Sequence, residues 1–276
     1  MKIYINGRLA NSSEVPCESI NPFDRGLILG DGVFETLAVR SGSMILLDAH
    51  LSRLVSGASI IGIKMPMADI DLIDAINSVV KANDINDGIV RLTLTRGPSP
   101  RGLAPPKKVM PSLIISATKY LEGFDALESV NVVIVRKTRR NEHSLLSRIK
   151  SLNYLDNILA LMEAKERGAD DALLLNGTGK LVCASSSNLF VILKGKLVTP
   201  PESDGCLGGI MRAEVIRRLN GIERSLLPAE LDDVSEAFLT NSLSVKPIIS
   251  INRKKIGDGN VGNVVRQAQD LLMKIR

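Results

Sequence analysis

The sequence predicts an α+β (mixed α/β) protein with two domains and a site in the crevice between them. Three observations support this class. Helical periodicity and strand alternation occur in both halves, polar motifs fall on loops and strand ends, and the pattern breaks around Glu122-Gly123. We therefore expect a smaller N-terminal α/β domain over residues 1–118, an interdomain linker over 119–126 and a larger C-terminal domain over 127–276.

The first half carries alternating strand and helix patterns. Ile3 and Ile5 before Asn6-Gly7 predict a hairpin over 2–10. The other predicted segments are a turn-rich loop at 21–26, a strand at 30–39, helices at 48–61 and 67–83, and strands at 89–96 and 112–118. On the strand 89–96, Arg91 and Thr93 share one face, and Val90 and Leu92 share the other.

The second half has the same mixture. Leu155, Ile158, Leu159 and Met162 recur at helical spacing, which predicts a helix from about Asn153 to Gly168. The other predicted segments are strands at 130–135, 171–175, 181–193 and 196–199, a helix from the glycines at 208–209 to about 220, a strand ending at 239 and a last helix at 261–274.

Composition bounds the kind of protein. The chain has 276 residues, 45% of them hydrophobic, which is enough for a sizeable core, and its formal net charge of +5 is modest. Three scattered cysteines and two histidines lack metal-ligand spacing, so we expect no metal site and a reducing compartment. No apolar run matches a signal peptide or a membrane span. The composition predicts a soluble, cytoplasmic protein without a membrane partner.

Lys150 stands immediately before a predicted helix, where the positive end of the helix dipole disfavours a cation. If this lysine is also desolvated, its pKa falls and it can act as an amine nucleophile. The alternative is an ordinary surface lysine, and the local pattern alone does not decide between the two.

A glycine-rich segment, Gly205 to Arg212, leads into a helix and resembles an anion cradle. It lacks the ending of a P-loop and the spacing of a Rossmann fingerprint. Thr240, at the polar tip of a buried strand, is a second candidate for phosphate contact. Glycines before a helix are also common punctuation, so this signal is weak by itself.

Two arginine-bearing loops stand out. Arg101 lies in a proline- and glycine-rich loop over 97–106, whose stiffness suits bidentate binding of a carboxylate. The cluster Arg136, Lys137, Arg139 and Arg140 could touch nucleic acid, but no aromatic residues are interleaved with it. A solvated loop or an anion-binding rim is favoured, and no nucleic-acid partner is expected.

A desolvated lysine, a phosphate cradle and an arginine for a carboxylate together match the needs of pyridoxal 5'-phosphate chemistry. The sequence also resembles the class IV aminotransferases, the fold type IV pyridoxal phosphate enzymes, over nearly its whole length. This family includes branched-chain and D-amino acid aminotransferases and 4-amino-4-deoxychorismate lyase. The resemblance rests on the order and spacing of several motifs: Asp24-Arg25-Gly26, Gly30 to Glu35, His50 to Leu54, Lys150 to Leu155, Gly168 to Asn176, Ser187 to Phe190, Thr199-Pro200-Pro201 and Gly208 to Arg212.

The resemblance implies roles for individual residues. It makes Lys150 the Schiff-base lysine, which also moves the α-proton, and Tyr154 the tyrosine facing the cofactor's 3-oxygen. Its other implied cofactor-binding positions are Arg53, Ile210, Met211 and Thr240 at the phosphate, with Cys183 and Asn188 at the ring. Its implied substrate-binding positions are Phe34, Thr36 and Arg101. It also implies a small-molecule amino carboxylate substrate, a cofactor-binding C-terminal domain, an active site between the domains and a homodimer.

One position departs from the family. The family has a glutamate five residues before the asparagine of the Ser-Asn-Leu-Phe motif, and this chain has Cys183 there. A thiol cannot keep the cofactor's pyridine nitrogen protonated as a carboxylate does. Another acid could compensate, the enzyme could work with a neutral pyridine, which weakens transamination more than elimination, or the protein could bind the cofactor and catalyse poorly.

Three functions follow from these residues. A 4-amino-4-deoxychorismate lyase, releasing pyruvate and 4-aminobenzoate, is favoured by Thr95-Arg96-Gly97 with Arg101-Gly102 and by Cys183, although Leu103 stands where many lyases have an aromatic residue. An amino-acid transaminase of the branched-chain or D-amino acid type fits the motifs equally well, and Cys183 argues against it. A non-catalytic binding protein is disfavoured by the intact Lys150.

Overall fold

The computed structural model describes residues 1–11, 13, 20–108, 110–120 and 126–275. The chain forms two compact units, one of Met1–Phe124 with Ile149–Asn153 and one of Asp125–Arg148 with Tyr154–Ile275. Lys150 therefore packs within the first unit, although the predicted domain division placed it in the run 127–276. Residues 121–125 of the predicted linker lie outside the described residues.

The first unit is an antiparallel sheet covered by helices. Its elements are β1 (Lys2–Ile5), β2 (Arg8–Asn11), α1 (Arg25–Leu29), β3 (Gly32–Arg40), β4 (Ser43–Met44), α2 (Leu47–Ile60), α3 (Asp69–Ala82), β5 (Gly88–Thr95) and β6 (Ser112–Lys119). Within the described residues the strand order is β2-β1-β6-β5-β3-β4, with every pair antiparallel. The predicted hairpin at the N-terminus and both predicted helices are confirmed.

Side chains from α2 and α3 pack on one face of this sheet. Leu54 and Ile76 from the helices join Leu37 and Leu92 from the strands in one buried cluster. The predicted alternation of β5 is confirmed, because Val90, Leu92 and Leu94 are fully buried and Arg91 is exposed on the opposite face. That opposite face is where polar side chains are available for chemistry.

The second unit is a mixed sheet with three helices in the part of it that is described. Its strands are β7 (Val130–Ile134), β8 (Asp171–Leu175), β9 (Leu181–Ala184), β10 (Asn188–Leu193), β11 (Lys196–Thr199), β12 (Ile222–Glu223), β13 (Val234–Thr240), β14 (Val245–Ile251) and β15 (Lys254–Lys255), and its helices are α4 (Leu155–Glu166), α5 (Ile210–Leu219) and α6 (Asn263–Lys274). The strand order is β12-β11-β10-β13-β14-β7-β8-β9, β15 pairs with β14, and a β9–β10 pairing closes the inner strands into a ring. The predicted strand over 181–193 is two strands, divided at its polar interruption.

The core of the second unit is formed mainly by apolar side chains of its strands. Leu173, Leu189 and Val191 are fully buried, and the rings of Phe190 and Phe238 stack with their centroids 5.0 Å apart. No helix in the described residues has the length and apolar composition to cross a membrane.

Helix α4 shows an unusual distribution of apolar residues. It begins at Leu155 and buries Asn157, Ala160, Glu163 and Ala164. The stripe that predicted the helix points outward instead, because Leu155, Ile158, Leu159 and Met162 are 50–72% exposed. The periodicity therefore identifies the helix but not the face that this chain buries.

Candidate active site

The Lys150 segment lies along the edge of β3. The amide of Phe34 donates to the carbonyl of Lys150 at 2.9 Å, and the amide of Leu152 donates to the carbonyl of Gly32 at 3.0 Å. Upstream, Ile149 is buried in the core of the first unit. The backbone around Lys150 is thus held like a short extra strand, by hydrogen bonds at Lys150 and Leu152 and by the buried side chain of Ile149.

The Lys150 amine is desolvated. Its nitrogen lies 4.4 Å from the centroid of the Phe34 ring. Burial, together with the charges of Arg53 and Arg91, lowers the pKa of Lys150 to about 8 against the opposing effect of Glu35. At that pKa roughly a tenth of the amine is neutral at pH 7, against less than about a thousandth for an ordinary lysine. This side chain is therefore a competent nucleophile and proton carrier near neutral pH.

One of the two contributions predicted to lower this pKa, the positive end of a helix dipole, is wrong. Helix α4 begins at Leu155, five residues after Lys150, so the lysine does not stand at a helix N-terminus. Burial and two neighbouring guanidinium groups lower its pKa instead. The desolvation that the prediction required is therefore present, and the helix dipole is not its companion.

Arg53 is anchored by a buried acid. Glu35 on β3 is completely buried and accepts hydrogen bonds from Nε and Nη2 of Arg53 and from Nδ1 of His50, each at 2.7 Å. Burial alone would raise the pKa of Glu35, but these hydrogen bonds and charges hold it below its usual range. Burial lowers the pKa of His50, so the histidine is neutral at pH 7 and donates its Nδ1–H to the carboxylate. The sequence pointed to Arg53 but not to the residues that orient it.

Arg91 is a site residue that the sequence reasoning missed. The β3–β5 register places Thr36 opposite Arg91 and Phe34 opposite Thr93, so the four side chains share one face of the sheet. The Arg91 guanidinium carbon lies 4.0 Å from the centroid of the Phe34 ring, which Lys150 also approaches. The alternation of β5 showed Arg91 on the polar face, and only the β3–β5 pairing reveals its neighbours.

Arg101 lines a surface cavity of the first unit. It is exposed and lines a cavity of about 430 Å³ together with Asn21, Phe23 and Pro98. Of the three predicted substrate-binding residues, Arg101 lines this cavity, and Phe34 and Thr36 do not. We predicted that this loop is stiff. The structure shows one steric reason at its start: a Cβ at Gly97 would lie 1.8 Å from the carbonyl oxygen of Met110, so glycine is required there.

A buried arginine holds the Arg101 loop in place. Arg25 donates from Nη1 to the carbonyl of Gly102 at 2.8 Å and from Nη2 to the carbonyl of Leu103 at 2.9 Å. Its Nε donates to Asp31 at 2.7 Å. The motif Asp24-Arg25-Gly26 was part of the resemblance, but this clamp was not predicted.

In the second unit, three predicted residues form one row across neighbouring strands. Asn188 on β10 lies opposite Cys183 on β9 and opposite Thr240 on β13. The side-chain amide of Asn188 donates to the carbonyl of Leu207 at 2.8 Å, which ties the row to the glycine-rich loop. Tyr154 is the residue before α4 and is partly buried.

The start of α5 has the features of a phosphate cradle. Its N-cap residue, Gly209, contributes no side-chain hydrogen bond, so the amides of Ile210 and Met211 are not capped by a side chain. A Cβ on Gly209 would lie 2.0 Å from Oδ1 of Asn188, so only glycine fits beside the row. Thr240 is completely buried and donates its hydroxyl to the carbonyl of Ser244 at 3.3 Å. These groups fit the phosphate of pyridoxal phosphate, as Lys150 fits its aldehyde.

Cys183 does not fit a protonated pyridine ring. Burial raises the pKa of its thiol to about 11, with the charge of Asp171 adding to this effect and that of Arg140 opposing it. The thiol packs against Val182 and Cys206, and burial raises the pKa of Cys206 to about 12. A neutral thiol is a weak hydrogen-bond donor and supplies no negative charge. The donor set therefore fits the cofactor at the amine and phosphate ends and departs from it at the ring nitrogen.

Comparison with known proteins agrees with this chemistry. The amino-transferase class IV family model matches residues 32–251. The chain is 32% identical over an alignment of 285 residues to a putative branched-chain-amino-acid aminotransferase of Methanocaldococcus jannaschii, covering 100% of this chain and 96% of that protein. It is 31% identical over 280 residues to D-alanine aminotransferase of Staphylococcus haemolyticus, covering 98% and 95%. Its fold matches 4-amino-4-deoxychorismate lyase of Pseudomonas aeruginosa with a TM-score of 0.82 and 32% identity, covering 98% and 97%.

Proposed function

Because this chain belongs to the class IV aminotransferase family, a family of pyridoxal phosphate enzymes, we propose that Lys150 bonds the cofactor and moves the α-proton of an amino carboxylate substrate. The observation that carries this proposal is the buried Lys150 amine, whose pKa is lowered to about 8 between Phe34, Arg53 and Arg91. A neutral amine at that position can attack a carbonyl carbon and can take up a proton from carbon.

The remaining residues hold the cofactor and the substrate. When bound, pyridoxal phosphate supplies an aldehyde for the amine and a ring that withdraws electrons from the substrate's α-carbon. Arg53, oriented by Glu35, would hold the phosphate together with the amides of Ile210 and Met211 and the hydroxyl of Thr240. Tyr154 would face the 3-oxygen, and Asn188 would lie at the ring beside Cys183. Phe34, Thr36 and Arg101 would contact the substrate.

Cys183 favours elimination over transamination. A thiol with a pKa of about 11 is neutral at pH 7 and does not hold a proton on the ring nitrogen. The ring is then a weaker electron sink, which penalises transamination more than elimination. We therefore favour a 4-amino-4-deoxychorismate lyase, which releases pyruvate and forms 4-aminobenzoate. The similarity to the lyase of Pseudomonas aeruginosa supports this assignment.

An amino-acid transaminase is the alternative. It is supported by the names of the branched-chain and D-alanine relatives, which the chain matches over nearly its full length. Arg91, on the same face of the sheet as Phe34 and Thr36, adds a cation that suits an anionic substrate. The motifs around Lys150 are compatible with both reactions.

One pair of assays separates these reactions. The purified enzyme is given 4-amino-4-deoxychorismate, and 4-aminobenzoate is measured. In parallel it is given single L- and D-amino acids, and conversion of the cofactor to its amine form is followed by absorbance. The lyase produces 4-aminobenzoate without any amino-acid half-reaction, and a transaminase gives the reverse result. Cys183→Glu should raise the amino-acid half-reaction rate, whereas unchanged rates and an unchanged spectrum would remove the argument from the ring nitrogen.

We also propose a homodimer with a cytoplasmic location. The outward stripe of Leu155, Ile158, Leu159 and Met162 on α4 is a contiguous apolar surface, and such surfaces commonly mark interfaces. A second copy is the favoured partner because a two-fold contact would bring the stripe of one copy against the same stripe of the other. Cys183 and Cys206 are free thiols, as expected in a reducing compartment.

A further inference from the structure

The second unit contains a large groove away from the residues assigned to the cofactor. Its volume is about 990 Å³. Ile134, Leu175 and Pro228 are partly exposed and supply apolar lining. None of the predicted cofactor-binding residues lines it, so the proposed function leaves this groove without a role.

The charge of the groove is strongly positive. Arg136, Arg139, Arg167 and Arg253 all line it. One carboxylate, Glu166, is among the described lining residues, and it pairs with Lys137 at 3.2 Å. The basic cluster at 136–140 thus supplies two of the four arginines, and the fold adds two more from distant parts of the sequence.

Two of these arginines belong to the wall. Nη1 of Arg139 donates to the carbonyls of Val135, Arg136 and Thr138 at 3.0–3.1 Å. Nη1 of Arg167 donates to the carbonyl of Ile134 at 2.8 Å and to Glu163 at 3.2 Å. Their guanidinium groups are therefore held in fixed positions at the groove.

The other two arginines have no such anchor. Within the described part of the chain, the side chains of Arg136 and Arg253 make no hydrogen bond and no ion pair. Both are exposed at the groove. The groove therefore has two anchored and two unanchored guanidinium groups. An anion bound there could accept hydrogen bonds from the unanchored pair and offset their positive charge.

Arg253 occupies a backbone position that disfavours arginine. It follows Asn252 in the two-residue turn between β14 and β15, and both residues have positive φ, 50° and 67°. Such turns prefer glycine at the second position, because a side chain there is strained. Oδ1 of Asn252 accepts from the amide of Ile134 at 3.0 Å, which fixes the turn to the groove wall. A long cationic side chain retained at this position suggests a use for its charge.

We propose that this groove binds a small organic phosphate, with the phosphates on the guanidinium groups and the less polar body on the apolar lining. Guanidinium forks match phosphate oxygens in geometry, and the volume is in the range of small-molecule sites. Nucleic acid is a poorer match, because no aromatic residue lines the described groove for base stacking.

The test measures binding to the full chain saturated with pyridoxal phosphate, so that the cofactor's own phosphate site is filled. The probes are ATP and fructose 1,6-bisphosphate in calorimetric titrations, with adenosine and fructose as uncharged counterparts. At least one phosphate compound should bind at one site per chain, and its uncharged counterpart should not. The unaltered absorbance of the bound cofactor serves as the check of folding.

Variants locate the site. Arg136→Gln and Arg253→Asn each remove one unanchored charge, and asparagine keeps the turn because it tolerates positive φ. Each should weaken binding about tenfold, which is the loss of one charge-assisted phosphate contact. Arg266→Gln is the matched control, since it removes an exposed arginine of the same unit outside the groove. The proposal is overturned if neither phosphate compound binds, if only a long oligonucleotide binds, if the two groove variants bind normally, or if the control variant weakens binding equally.

Discussion

At the scale of single residues, the chemistry depends on how the surroundings of Lys150 change its amine. Burial is the largest effect, and the charges of Arg53 and Arg91 act in the same direction. Glu35 opposes them, but its own charge is largely committed to Arg53 and His50. The lysine is consequently partly neutral at physiological pH, whereas a solvated lysine is almost fully charged.

This surrounding predicts the pH dependence of cofactor binding. The neutral amine is the reactive form, so the rate at which cofactor-free protein binds pyridoxal phosphate should rise with pH and level off above about 8. Stopped-flow absorbance measures this rate from about pH 6 to about pH 10. This range covers roughly the interval between the unperturbed pKa values of histidine and lysine. A rise centred near the pKa of a solvated lysine would show that Lys150 is not desolvated.

Replacement of the buried Glu35, whose charge acts on Lys150, is a second test at the level of single residues. Glu35→Gln leaves the Arg53 charge with a weaker partner in a buried setting, so the free energy of unfolding should fall by about 3 kcal/mol. Chemical denaturation measures the loss. Asp74→Asn, an exposed carboxylate on α3 with no ion pair in the described chain, should change stability by less than about 0.5 kcal/mol.

Protonation of Glu35 gives the sign of a related pH effect. Its pKa in the folded protein lies below the unfolded value, so its contribution is present above the unfolded pKa. That contribution is lost as the pH falls through the folded pKa. The wild type should therefore lose more stability in acid than Glu35→Gln does, and equal losses would contradict the role of this carboxylate.

At the scale of elements, the start of α5 and the row across β9, β10 and β13 form one structure. Gly209 lets the helix end approach Asn188, and Asn188 in turn binds the glycine-rich loop through Leu207. Because the first-turn amides lack a side-chain cap, they are suited to an anion.

Replacement of this glycine should weaken the cofactor site selectively. A Cβ at Gly209 would lie 2.0 Å from Oδ1 of Asn188, so Gly209→Ala must displace the helix start or the asparagine. The affinity for pyridoxal phosphate should fall at least about tenfold, the effect of losing one charge-assisted contact. Gly57→Ala, in α2, is the control. Its Cβ would make only an ordinary 3.5 Å contact with the side chain of Val33 on β3. Equal affinity in the two variants would contradict the cradle.

Particular residues show how far the sequence reaches at this scale. The alternation of β5 and the periodicity of α2, α3 and α4 depend on local spacing, and the sequence predicted each of these elements. The clamp of Arg25 on Gly102 and Leu103 joins residues far apart in the chain, as does the approach of Arg91 to Phe34. The first depends on how a loop folds back onto α1, and the second depends on strand register; local patterns specify neither. For the same reason the basic cluster at 136–140 gave no indication of Arg167 and Arg253.

At the scale of the whole molecule, the outward stripe of α4 has a consequence for assembly. Ile158 is 52% exposed within this stripe, and Ile70 on α3 is 64% exposed outside it. Ile158→Asp should therefore convert the proposed dimer to a monomer, since it would place a charge in the proposed contact, and Ile70→Asp should leave that dimer intact. Light scattering after size exclusion measures the mass. A dimer that survives Ile158→Asp would exclude α4 as the contact.

The domain division also belongs to this scale. The sequence predicted one run from 127 to 276, whereas Ile149–Asn153 packs with the first unit. The reason is local: Ile149 is apolar and joins the first core, and the backbone that follows it, at Lys150 and Leu152, pairs with β3. A linear reading of composition does not reveal a short segment that returns to an earlier unit.

Lys150 is the amine that we propose bonds pyridoxal phosphate, and one measurement tests this directly. Borohydride reduction of the holoenzyme fixes the bond between cofactor and amine, and peptide mass spectrometry then locates the added mass. We expect the added mass on the peptide that contains Lys150, at one cofactor per chain, and no added mass in Lys150→Ala. Cofactor mass on another lysine of the wild-type protein would contradict it.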